Sequence, residues 1–207
     1  MRITAAEKER TRKRILEAAH RLFSNGGFAA TSTRALAREA EIGVGTLFNY
    51  FASKELLALE LVDRALDRGE ARFRDRRRTD ITVEEDLFDH LAAALRELEP
   101  YRASLPEILE STLGPFARAD GHDIAPRIRD RHLETVAEIF RQHGIEGADA
   151  PFPAHLIWTL TLGFLGAWPR DTSPGGQDSW VLLDQTMSLL ARTIAGGASD
   201  QEVFDGR

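Results

Sequence analysis

The first 99 residues of this 207-residue chain contain no proline, and all eight prolines lie from Pro100 onward. Proline lacks a backbone donor and its ring collides with the preceding helical turn, so the early part can build long unbroken helices and the later part must interrupt them. No run of alternating β-branched residues bounded by turn dipeptides competes with this pattern, and Thr82-Val83 sits inside a helical one. The chain is expected to be all-α.

Local signals divide that expectation into helices. Thr4-Ala5-Ala6-Glu7 has the form of a capping box, in which hydroxyl and carboxylate satisfy free N–H groups at a helix start. The helix that follows puts Ile15, Ala19, Leu22 and Phe23 on one face and stops at Gly26-Gly27. A short second helix, capped by Ser32, runs through Leu36 to about Ala40; Glu41-Ile42-Gly43 forms a tight turn, and a third helix covers about Val44 to Tyr50. Ser53 caps a long helix in which Leu59, Val62, Leu66, Gly69 and Phe73 recur at steps of three and four. It ends in Arg76-Arg77-Arg78, read as a solvated, dipole-matched terminus rather than a polyanion site. Further helices are expected at about 82–98, 101–113, 124–143, 152–168 and 177–195, separated by glycine and proline. The expected organisation is a helix-turn-helix DNA-binding domain over 1–52, a helical ligand-binding and dimerisation domain over 53–197, and a flexible tail over 198–207.

Charge shows where a polyanion could bind. The formal net charge is -6, yet residues 1–56 hold 10 Lys and Arg against 6 Asp and Glu, and residues 57–207 hold 17 against 27. Phosphate binding needs local rather than total positive charge, so only the N-terminal segment suits a nucleic acid. The absence of cysteine excludes disulfide scaffolds, thiolate zinc fingers, iron-sulfur clusters and a cysteine nucleophile, and agrees with a reducing cytoplasm. The start of the chain has no apolar signal core, and the most apolar stretch, 156–168, is too short to span a bilayer, so a cytoplasmic location without membrane contact is expected.

Catalytic signatures are missing. The sequence holds no GxSxG elbow, HExxH, GxxxxGK[ST] or glycine-rich dinucleotide fingerprint, and Glu84-Glu85 is an adjacent, solvated pair at a helix start. His122, Asp123, His132 and Glu134 have no spacing that suits a helix-borne metal site. No catalytic residue, cofactor or metal is expected.

The two short helices and their turn, inside the basic segment, form a helix-turn-helix whose second helix can enter the DNA major groove. Gly43, Gly45 and Thr46 keep its leading edge narrow, Leu47 and Phe51 face inward to anchor it, and Asn49 and Tyr50 remain outward as hydrogen-bonding groups. Arg34 and Lys54 lie near helix starts, where phosphate is favoured. Such helix pairs also occur in bundles that never meet DNA.

Residues 31–57, TSTRALAREAEIGVGTLFNYFASKELL, resemble the DNA-binding signature of the TetR family of bacterial one-component regulators, and ILEAAHRLFSNGGF at 15–28 resembles that family's first helix. The resemblance covers about the first 60 residues. It implies that Thr33 and Arg34 touch phosphate, that Val44, Gly45 and Thr46 lie against base edges, that Phe48, Asn49 and Tyr50 close on the backbone, and that Lys54 grips a phosphate. Four positions depart from the family pattern: Glu41, Ile42 and Gly43 stand where it has Gly, Val and Ser, which removes a side-chain cap and adds a carboxylate near DNA. Phe48 also replaces a tyrosine and lacks its hydroxyl.

The resemblance further implies a palindromic double-stranded operator, a small-molecule effector and a homodimer built from the last two long helices. Residues 156–168, LIWTLTLGFLGAW, are apolar around most of the helix, and Phe164 and Trp168 with Leu183, Met187, Leu190 and Ile194 are the expected interface. Phe88, Leu91, Leu109, Phe116, His132, Val136 and Trp158 are candidates to line an effector cavity for an apolar or amphipathic ligand. The alternative is a helical small-molecule-binding protein or enzyme on the same fold without operator control.

Overall fold

The structure is a computed structural model that describes residues 4–112, 124–145 and 151–204, with 111, 112, 151, 152 and 194–204 by backbone alone. Among the described residues there is no strand, and the chain is all-α. In order the helices are α1 (Ala5–Gly26), α2 (Thr33–Glu39), α3 (Val44–Tyr50), α4 (Lys54–Arg76), α5 (Val83–Leu98), α6 (Leu105–Thr112), α7 (Ile124–Gln142), α8 (Pro151–Ala167) and α9 (Gln177–Phe204). Three short 3-10 turns join them at Glu99–Ser104, Trp168–Arg170 and Pro174–Gly176. None of these helices is long and apolar enough to cross a membrane.

The helix ends follow the local chemistry. Thr4 and Glu7 exchange both capping-box bonds, at 3.0 and 3.2 Å, and these bonds hold the Glu7 carboxyl below its ordinary range. Gly27 ends α1 at φ 79°, a conformation open to glycine without penalty. Thr82 and Glu85 form a second capping box at the start of α5, where the sequence suggested only a solvated acidic pair. Before α9 the Asp171 carboxylate accepts hydrogen bonds from Ser173 N–H at 2.8 Å, Ser173 Oγ at 2.6 Å and Ser179 N–H at 2.9 Å, which lowers its pKa. α9 continues through Phe204, so helix extends into the segment 198–207 for which a flexible tail was expected.

Two compact units divide the chain, Met1–Ala65 with Leu98–Ala125, and Leu66–Glu97 with Pro126–Arg207. The first unit therefore takes in the first half of α4 and the connection after α5, rather than ending at residue 52. Specific bonds account for this. Arg12 pairs with Glu60 of α4, Tyr101 Oη stands 2.7 Å from His20 Nδ1 of α1, and Phe28 N–H donates to Ser104 Oγ at 2.9 Å. Ile15, Ala19 and Phe23 of α1, Leu36 of α2, Leu47 of α3, Leu57 and Val62 of α4, and Tyr101 form its buried core.

The second unit has its own core in Leu87, Leu91 and Leu95 of α5, Ile128, Val136, Ile139 and Phe140 of α7, Ile157 of α8, Trp168, and Leu183 and Met187 of α9. α4 and α5 pack closely at Gly69, where a Cβ would lie 2.8 Å from Ala94 Cα. That separation is shorter than packed atoms tolerate, so glycine there permits the backbone contact.

Candidate nucleic-acid interface

The helix-turn-helix is built as its residues dictate. Ser32 Oγ accepts from Ala35 N–H at 3.1 Å and starts α2. α2 ends with Ile42 N–H donating to Ala37 O at 2.9 Å, the long bond of a Schellman turn, and with Glu41 at φ 55°. Glycine occupies that conformation freely, whereas a residue with a Cβ pays about 1 kcal/mol, so Glu41 stores strain at the turn. Its carboxylate lies 3.8 Å from Arg14, an exposed pair worth little in water. Gly43 begins α3 with no side-chain cap.

α3 is anchored on one side and open on the other. Leu47 and Phe51 are buried, and the Arg12 guanidinium covers the Phe51 ring at 4.6 Å while pairing with Glu60. Truncating Leu47 would cost about 2–5 kcal/mol. Val44, Gly45, Thr46, Phe48 and Asn49 are exposed and Tyr50 is half-buried; Val44 and Phe48 expose 37% and 46% of their surface. Apolar side chains exposed in a row with a threonine and an asparagine suit methyl groups and base edges better than water. A Cβ built on Gly45 meets nothing within 4 Å, so the protein's own packing does not require glycine there.

The cations divide into two groups. Arg34 on the first turn of α2 is exposed and Thr33 half-buried, as a phosphate contact needs. Lys54 is committed elsewhere: its ammonium donates to Phe28 O at 2.9 Å and Thr31 O at 3.2 Å, and lies 4.0 Å from the Phe28 ring centre. It latches the α1–α2 connection to α4, and one of its three donors is left for a phosphate. Arg12 carries a structural role that the sequence reading missed; the available signal was an acid, Glu60, on the apolar face of α4.

The candidate effector residues do not form one group. Leu91 and Val136 are buried in the second unit, where Phe88, His132 and Trp158 are half-buried; Leu109 is buried in the first unit, and Phe116 lies outside the described residues. Phe88 stacks at a tilt on Trp180, 6.3 Å between centres, and His132 on Trp158 at 5.3 Å. His132 Nδ1 stands 3.4 Å from Nε2 of His90, and His90 in turn faces Glu70. Neither His90 nor Glu70 stood out in the sequence, although each interrupts the apolar face of its helix. Among the described residues no group of three or more His, Asp or Glu side chains could hold a metal ion.

The residues expected at a subunit interface differ in their exposure. Trp168, Leu183, Met187 and Leu190 are buried within this chain; Phe164 is half-buried, and the Ile194 side chain lies outside the described ones. The stripe at steps of three and four is thus the face α9 turns to its own core. Among the described residues, the large apolar groups α9 exposes are Val181, Leu182 and Leu189.

The sequence model of a family described as bacterial regulatory proteins, tetR family, matches residues 15–61, which span α1 to the first turns of α4. The chain is 29% identical over 168 residues to the HTH-type transcriptional regulator UidR of Escherichia coli K12, covering 77% of this chain and 82% of UidR. It is 46% identical over 67 residues to the HTH-type transcriptional repressor KstR of Rhodococcus jostii, covering 32% and 31% of the two chains. In fold it resembles the crystal structure of Thermus thermophilus FadR, a TetR-family transcriptional repressor in complex with lauroyl-CoA, with TM-score 0.67, 22% identity, and coverage of 86% of this chain and 92% of that one. The capped α2, the Schellman turn and the outward row on α3 are the physical content of that match, and residues 15–61 are similar to the tetR family of bacterial regulatory proteins.

Proposed function

We propose that this regulator is a homodimeric repressor, that α3 of each subunit reads the major groove of a palindromic operator, and that a small apolar or amphipathic effector releases it. The observation that carries the reading is the outward row on α3: Val44, Gly45, Thr46, Phe48 and Asn49 exposed above the buried anchors Leu47 and Phe51. In this reading Arg34, Thr33 and the remaining donor of Lys54 hold phosphates, and Val44, Gly45 and Thr46 meet base edges. Tyr50 supplies the side-chain hydroxyl toward the DNA backbone that Phe48 lacks. KstR is named a repressor and FadR binds lauroyl-CoA, which supports repression and an amphipathic effector class here.

A palindrome requires the two recognition helices about 34–36 Å apart. The exposed apolar row Val181, Leu182 and Leu189 on α9, with the half-buried Phe164 on α8, is the surface a second copy covers. An effector that prefers a conformation with another spacing lowers DNA affinity by no more than its differential affinity for the two states. The protein acts in the cytoplasm, where operator and effector meet, and no catalytic step is needed.

The test is fluorescence anisotropy of the full chain with DNA fragments flanking its own gene, over a range of salt concentrations. Binding should weaken steeply with salt, and Arg34→Ala should reduce the logarithmic slope by about one. Binding with no salt dependence, or an unchanged slope for Arg34→Ala, would reject the docking.

A further inference from the structure

Glu70 of α4, His90 of α5 and Thr135 and His132 of α7 meet in the interior of the second unit. Glu70 Oε1 accepts from Thr135 Oγ at 3.0 Å and pairs with Arg74 Nε at 2.9 Å. Its Oε2 faces His90 Nδ1 at 3.5 Å, too far for a good hydrogen bond but well within the field of the charge. His90 Nε2 stands 3.4 Å from His132 Nδ1. Two buried nitrogens have no hydrogen-bond partner, His90 Nδ1 on the Glu70 side and His132 Nε2 at the far end, where the His132 ring stacks on Trp158. Buried polar atoms without partners are uncommon in folded proteins, and each calls for an explanation.

The chain of groups has a direction. Burial lowers the pKa of His90, and burial and the neighbouring His90 bring that of His132 down to about 3, so both rings are neutral near pH 7. A neutral imidazole has one donor and one acceptor nitrogen. The carboxylate at Oε2 favours N–H over a lone pair at His90 Nδ1; Asp86 acts on this ring with the same sign, and Arg74 and Arg77 oppose both more weakly. His90 Nε2 is then an acceptor, His132 Nδ1 must be the donor toward it, and His132 Nε2 is left with a bare lone pair. The reverse pair of tautomers would turn the His90 lone pair toward the carboxylate.

We propose that Glu70, His90 and His132 form a tautomer-setting relay that presents an acceptor at His132 Nε2 to a bound small molecule carrying a hydroxyl or N–H donor on an apolar frame. The proposal rests on the reading of the second unit as the effector-binding part and narrows its ligand class. An alcohol satisfies the lone pair, an ether leaves it unpaired, and an ionised acid turns a second lone pair on it. Apolar length alone does not discriminate among the three, so the preference comes from this one atom.

The test uses the full chain at neutral pH. Long-range 1H–15N spectra of the histidines should find the proton on Nδ1 of both His90 and His132. Calorimetry with 1-decanol, its methyl ether and decanoate should favour the alcohol about tenfold over the ether. Decanoate should bind more weakly than the alcohol, and His132→Leu should abolish the preference. A proton on His132 Nε2 in the wild type, or no preference for the alcohol, overturns the relay whatever the variant does. Anisotropy with operator DNA on the same samples keeps the readings apart. Loss of DNA binding with the alcohol preference intact rejects the regulator and leaves the relay, and the converse rejects the relay alone.

Discussion

The two halves of α4 each bury a glutamate, and they compensate it in different ways. Glu60, in the first unit, is flanked by Arg12 and by Arg64, four residues along, so its charge is met on both oxygens. Glu70, in the second unit, has Arg74 and Thr135 on one oxygen and through the other faces two histidines, and His90 Nδ1 and His132 Nε2 are each left without a hydrogen-bond partner. The first arrangement closes on itself and fixes a surface; the second is open. A unit that reads a polymer of fixed shape gains from rigidity, whereas a unit that responds to a small molecule must hold something in reserve for it.

The sharpest way to break this contrast is to ask where the second unit keeps its stability. Asp86 is buried and accepts from Arg77 Nε at 3.1 Å on both oxygens and faces His143 Nε2 at 3.0 Å. Asp86→Ala leaves a largely buried guanidinium unpaired and should cost about 3–5 kcal/mol in urea unfolding. His132→Leu, which removes only the open end of the relay, should leave stability unchanged or raise it. Equal losses in the two variants would mean that the relay is part of the structural core.

A smaller effect sharpens the same point by pH. His132 holds its pKa at about 3 in the folded state against about 6.5 unfolded, and burial lowers that of His90 as well. As pH falls below about 6.5 the unfolded chain takes up protons that these rings refuse. Stability then declines by up to about 1.4 kcal/mol per pH unit for each ring. Between about pH 6.5 and 5, above the ordinary range of carboxylates, His132→Leu should show a shallower decline than the wild type. An unchanged slope would mean that the His132 ring takes up a proton as readily in the folded chain as in the unfolded one.

The smallest effect belongs to the first unit. Glu41→Gly relieves the φ of 55° at the turn and should stabilise the fold by up to about 1 kcal/mol, while removing a carboxylate beside the proposed DNA surface. Melting temperature and DNA affinity should both rise.

The contrast also explains what was readable from the sequence. Ser32, the Glu41–Gly43 turn and the Leu47 and Phe51 anchors act within a few residues of each other, and their local chemistry indicated α2, the turn and α3 with correct limits. Lys54 did not yield to such reasoning, because its two carbonyl partners lie 23 and 26 residues away. Glu70, His90 and His132 come from three helices, and no spacing on one helix announces a relay. α9 shows an intermediate case: the periodicity of Leu183, Met187 and Leu190 identified a packed stripe, but periodicity alone does not say whether a stripe packs on its own subunit or on a second copy.

The central claim, that the outward face of α3 meets DNA, is tested most directly at Gly45. Nothing within 4 Å would touch a Cβ there, and alanine is the better helix former by about 1 kcal/mol. Gly45→Ala should therefore melt at or above the wild-type temperature and yet bind operator DNA at least about tenfold more weakly, because the added methyl occupies space the base edges need. A Gly45→Ala protein that is more stable and binds DNA as tightly as the wild type would contradict the account.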